Sequence, residues 1–81
     1  MASRAYILVN FGSNVKRIRK EKGLSQEVLA IDSGLTQTYI SQVEQGKRNL
    51  TLLNVAAIAI TLGVSVSELV GDIEVTKVVS G

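Results

Sequence analysis

Apolar positions in this chain recur at helical spacing from residue 11 onward. Phe11, Val15 and Ile18 stand at i, i+4 and i+7, which predicts an amphipathic helix over about residues 10–22. Gly23 follows as its stop. Ser25 is placed to cap a second helix, with Glu27 in its first turn favoured by the helix dipole. Val28, Leu29 and Ile31 carry that helix to Ser33. Gly34 then supplies the positive φ of a tight turn. Thr36 caps a third helix bearing Tyr39, Ile40 and Val43, which stops at Gly46, and residues 47–49 form a polar loop. Leu52, Val55, Ile58, Ala59 and Leu62 mark the core face of a fourth helix, capped by Thr51 and stopped by Gly63. Ser65 and Glu68 have capping-box spacing for a short fifth helix ending before Gly71.

The pattern predicts an all-α, five-helix domain over residues 10–71. Residues 6–9 and 73–79 are β-branched and short, with strand-like propensity. Segments 1–9 and 72–81 are accordingly expected to be tails or short strands, although either could extend a flanking helix.

Composition narrows the chemistry. The 81 residues include no cysteine and no histidine, which removes disulfides, a catalytic thiol, the usual general base and the commonest transition-metal ligand. The seven acidic residues never take the spacing of a calcium loop. No metal, cofactor, small-molecule ligand or catalytic residue is expected, and an enzyme is disfavoured. The N-terminal residues do not form a signal peptide, and the most apolar stretch, residues 50–62, is too short to span a bilayer. A soluble, cytoplasmic protein with no membrane partner follows. Charge is uneven. Lys16, Arg17, Arg19, Lys20 and Lys22 surround a single acid, Glu21, whereas the rest of the chain is net acidic. A basic first helix suits a polyanionic partner, or is simply a solvated face.

The informative stretch is residues 26–45, QEVLAIDSGLTQTYISQVEQ. Two helices crossing through a short turn need a small residue where they touch, here Ala30. They need a glycine in the turn, here Gly34, and branched apolar residues beneath the second helix, here Ile40 and Val43. On this motif, and on FGSNVKRIRKEKGLSQ before it and LTLLNVAAIAITLGVSVSEL after it, the chain resembles the Xre family. That is the helix-turn-helix family of the lambdoid phage repressors and Cro. TYISQVEQGKRNLTL is most similar to the controller proteins of restriction–modification operons.

The resemblance implies a compact lambda-repressor-like fold and a sequence-specific transcriptional regulator. Such a regulator binds double-stranded DNA as a homodimer on a palindromic operator. It places Gln26 at a phosphate and Thr36, Gln37 and Thr38 at the start of a reading helix in the major groove. Gln37 stands where controller proteins tend to carry arginine, so it implies a different base, and glutamine pairs well with adenine. Ser41 and Gln42 lie one turn further along the same face. Tyr39 either packs its ring at the domain edge or reaches DNA. Lys47 and Arg48 suit phosphate neutralisation, with a minor-groove role open to Arg48. Arg19 and Glu44 are implied to form an internal ion pair, structural in purpose. Leu53, Ala57 and Ile60 make a second apolar stripe where relatives tend to be polar, which with Val66 predicts a two-fold dimer interface. A protein-interaction module of the same fold, such as an antitoxin or bridging factor, is the competing class.

Overall fold

The computed structural model describes residues 4–71 and contains five helices. These are α1 (Arg4–Glu21), α2 (Gln26–Ser33), α3 (Gln37–Glu44), α4 (Leu52–Leu62) and α5 (Val66–Val70). Ser25, Thr36, Thr51 and Ser65 each accept a hydrogen bond from the backbone N–H three residues on. At Ser65 the reciprocal bond from its own N–H to Glu68 Oε1 completes a capping box. Four helix starts are thus fixed by hydroxyl side chains that satisfy otherwise orphaned donors.

One boundary differs from expectation. Residues 6–9 are neither tail nor strand but take the remaining alternative, extension of the flanking helix, because α1 begins at Arg4 and includes them in its first turns. Strand propensity amounts to less than about 1 kcal/mol per residue and yields to packing. Here Tyr6, Ile7 and Leu8 are half-buried, and α1 continues unbroken into its core turns. The expected strand or tail at 73–79 lies outside the described residues.

The core joins all five helices. Phe11, Val15 and Ile18 of α1 meet Leu29 and Ala30 of α2, Ile40 and Val43 of α3, Ile58, Ala59 and Leu62 of α4, and Leu69 of α5. α1 packs on α3 and α5, α2 on α3 and α4, and α4 on α5. The α2–α3 turn is Gly34, Leu35 and Thr36, with Gly34 at φ 75°. A side chain is strained at that angle, so glycine lets the chain reverse within three residues.

A second glycine device lies at the α1–α3 crossing. A methyl group at Gly12 would overlap the Val43 carbonyl oxygen and come within 3.0 Å of the Glu44 carbonyl carbon. One at Gly46 would lie 2.8 Å from Val9 Cα. The backbone of α1 therefore rests directly on the last turn of α3 and the residues after it.

Leu52 corrects the expected core face of α4, since it is 77% exposed. Leu52 is the first residue of the helix and lies before Val55, where its core face begins. Val55, Ile58, Ala59 and Leu62 are the residues that pack inward.

Candidate nucleic-acid interface

The first turn of α3 stands open to solvent. Gln37 and Thr38 are exposed, and Ser41 and Gln42 follow on the same side, half-buried. With Gln26 from the start of α2 and Gln45 beyond α3, they line a shallow depression of about 410 Å³. Every lining side chain is a neutral amide or hydroxyl, able to donate or accept but carrying no charge. Gln45 was not singled out by sequence, although its i+4 spacing from Ser41 was there to be read. Its amide donates to Ser41 Oγ at 3.2 Å.

What holds α3 in place lies directly behind this face. Arg19 is 7% exposed and donates from Nε to Glu44 Oε2 at 2.6 Å and from the Nη2 amine to Glu44 Oε1 at 3.0 Å. A third bond runs from its other terminal amine to the Leu24 carbonyl at 2.8 Å. Gln26 Nε2 donates to the same Glu44 Oε1 at 3.0 Å. Glu44 thus ties α1, the start of α2 and the end of α3 together. It also constrains Gln26, whose amide oxygen and second N–H remain for other partners. The hydrogen bond to Glu44 raises the Arg19 pKa above the ordinary arginine value, against the opposing effect of burial. A raised folded-state value means stability that is present at lower pH and lost only as pH climbs through it. For arginine that window lies at the alkaline extreme.

Of the two roles expected of Tyr39, packing at the domain edge is the one formed within the protein. Its ring packs on the core while its hydroxyl oxygen accepts from Asn54 Nδ2 at 3.0 Å. The Arg48 guanidinium lies 5.2 Å from the ring centroid, within cation–π range. Arg48 Nε also donates to Gln42 Oε1 at 2.7 Å. Arg48 thus touches α3 at two residues while remaining exposed, and Lys47 is exposed beside it. Asn54 is a second residue that sequence did not single out. Thr36 spends its oxygen as the acceptor for the Tyr39 N–H, and its hydroxyl proton stays available.

The basic stretch of α1 divides into different uses. Arg19 is internal, and Arg17 pairs with Glu21 at 3.3 Å in an exposed bridge of little energetic weight. Lys16, Lys20 and Lys22 are exposed.

On α4, Leu53 is 81% and Ile60 78% exposed; Ala57 is half-buried between them, and Val66 of α5 is 38% exposed. Exposed Leu52 widens this stripe. Among the described residues no group of three or more His, Cys, Asp or Glu is placed to hold a metal ion. None of their helices is long and apolar enough to cross a membrane.

The chain is similar to known proteins over most of its length. The control protein C.MunI of a Mycoplasma species is 48% identical over 69 residues, covering 84% of this chain and 93% of that protein. The control protein C.BamHI of Bacillus amyloliquefaciens is 45% identical over 60 residues, covering 73% and 74% respectively. The crystal structure of the restriction–modification controller protein C.AhdI from Aeromonas hydrophila superposes with a TM-score of 0.75 at 45% identity. That match covers 76% of this chain and 94% of the other. A helix-turn-helix family model matches residues 15–69. Because that match runs from the middle of α1 into α5 and takes in both helices around the Gly34 turn, the chain belongs to the helix-turn-helix family of DNA-binding transcriptional regulators.

Proposed function

We propose that the protein is a cytoplasmic restriction–modification controller that binds a palindromic operator as a homodimer. The observation that carries this reading is the open, neutral face at the start of α3, with Lys47 and Arg48 at its edge. Gln37, Thr38, Ser41 and Gln42 offer hydrogen bonds to base edges in the major groove, with Thr36 at the entry. Gln26, Lys47 and the exposed lysines of α1 meet phosphates, which fix register without reading sequence. Similarity to C.MunI, C.BamHI and C.AhdI supports the controller role.

Operator selection from a random duplex pool, followed by titration against salt, tests the reading. A palindrome is expected, and log K should fall with log salt at a slope of about −0.9 per neutralised phosphate. Lys47→Ala should reduce that slope by about one and weaken all sequences alike. Gln37→Ala should lose about 1–3 kcal/mol of discrimination at one base pair per half-site, adenine being the expected base. A flat salt dependence with no selected site would instead favour the protein-interaction module.

Dimerisation rests on the α4 stripe. From residue 49 to residue 67 the chain carries no charged side chain, yet Leu52, Leu53 and Ile60 stand in water. Burying each against a second copy is worth about 1.5–3 kcal/mol per side chain. A two-fold arrangement doubles the count and brings two reading helices to one duplex. Ala57 lets the helices approach, and Val66 closes the edge. Ile60→Glu should yield a folded monomer that binds one half-site weakly, seen by sedimentation. A mutant still dimeric at micromolar concentration would move the interface elsewhere.

A further inference from the structure

Gln42, Arg48, Tyr39 and Asn54 form one connected set reaching from α3 through the following loop to α4. From it we infer that Gln42 is a specificity residue of fixed polarity: it meets the base edge as a hydrogen-bond donor, and so selects a keto base over an amino base. The inference rests on the DNA-binding reading above and deepens it.

A guanidinium only donates, so the atom of Gln42 that faces Arg48 Nε at 2.7 Å must be the amide oxygen. The guanidinium also lies over the Tyr39 ring, 5.2 Å from its centroid, a second contact that favours this position although Arg48 is exposed. The ring is itself fixed, by core packing on one side and by the Asn54 bond to its hydroxyl on the other. With the oxygen held on the loop side, the amide nitrogen is the group left to meet DNA across the depression that Gln42 lines. A free glutamine recognises adenine by using both ends of its amide, accepting from N6 and donating to N7. A glutamine whose oxygen already accepts from a guanidinium is a weaker acceptor, because the adjacent positive charge opposes a second donor even though a lone pair remains. Guanine offers such a donor two acceptors, N7 and O6, and thymine offers O4, whereas adenine offers only N7 beside the N6 donor and cytosine presents the N4 donor. Gln42 is thereby set apart from Gln37, for which adenine is the expected base. Asn54 is a positioning residue here, acting through Tyr39 without touching the base.

Selection from random duplexes by the parent and by variants tests this. Gln42→Ala identifies the half-site position that Gln42 reads, and the parent should prefer guanine or thymine there. Gln42→Glu keeps an oxygen for Arg48 but turns an acceptor outward, so the preference should pass to cytosine. Arg48→Ala should narrow the keto-over-amino preference at that position by roughly five-fold, in keeping with the net worth of one hydrogen bond, and leave the ranking elsewhere unchanged. Asn54→Ala should shift the same ratio less, and add nothing in a Tyr39→Phe background. A purely structural effect of Asn54 would persist there. The inference is overturned if the parent prefers adenine at that position, or if Arg48→Ala lowers affinity with the base preference intact. A parent that selects no sequence at all defeats the DNA-binding reading itself, a result distinct from either.

Discussion

Replacing Glu44 with alanine is expected to cost the fold about 3–5 kcal/mol, measured by urea denaturation. Arg19 would remain among core residues with only the Leu24 carbonyl as a partner, having lost two bonds to the carboxylate. Gln26 would lose its tether as well. The size of the loss comes mainly from the stranded guanidinium, not from any large net gain made by the intact pair. Arg19→Met combined with Glu44→Leu should therefore recover most of it, since two apolar side chains leave no buried charge. A loss below about 1 kcal/mol for Glu44→Ala alone would mean that Arg19 finds water when its partner is removed, as exposed pairs do.

Gly12→Ala is the second large effect. In a helix interior, alanine is ordinarily the better residue by about 0.8–1 kcal/mol, so propensity alone predicts a gain. The contact decides otherwise. The new methyl would press on the Val43 and Glu44 main chain, which cannot rotate away as a side-chain tip could. Forcing packed elements apart costs about 1–3 kcal/mol, occasionally more, so the expected net change is a destabilisation of about 2 kcal/mol. Ser13→Ala at the adjacent exposed position has no such contact and should be slightly stabilising. If Gly12→Ala proved as stable as the parent, the direct rest of α1 on α3 would be wrong.

Local rules made much of the fold legible. Ser25, Thr36, Thr51 and Ser65 announced four helix starts, because a hydroxyl preceding an apolar-periodic run has one principal use there. Ala30, Gly34, Ile40 and Val43 announced the crossing of α2 and α3 for the same kind of reason. Residues 6–9 misled because their β-branched character speaks of strand, while Tyr6, Ile7 and Leu8 gain burial only if α1 continues through them. Leu52 misled because helical periodicity identifies a face but not how far along it the core extends. Gly12 and Asn54 gave no local signal. The importance of each depends on a partner more than ten residues away in sequence, the main chain of α3 for one and the Tyr39 hydroxyl for the other.

The glycine contacts of α1 also bear on how this domain could be re-engineered. Exchanging α3 for the reading helix of another regulator looks like a cassette replacement, with both boundaries set by short polar caps. The outgoing segment, however, ends in a backbone seated against Gly12, and is followed by a Gly46 seated against Val9. A donor helix that ends in a bulkier turn, or lacks the Glu44 carboxylate, would arrive without a berth. The portable unit is therefore discontinuous. It comprises α2 through Gly46 together with the stretch of α1 from Val9 to Arg19, and a graft that respects only the linear motif would transfer the letters of recognition without their alignment.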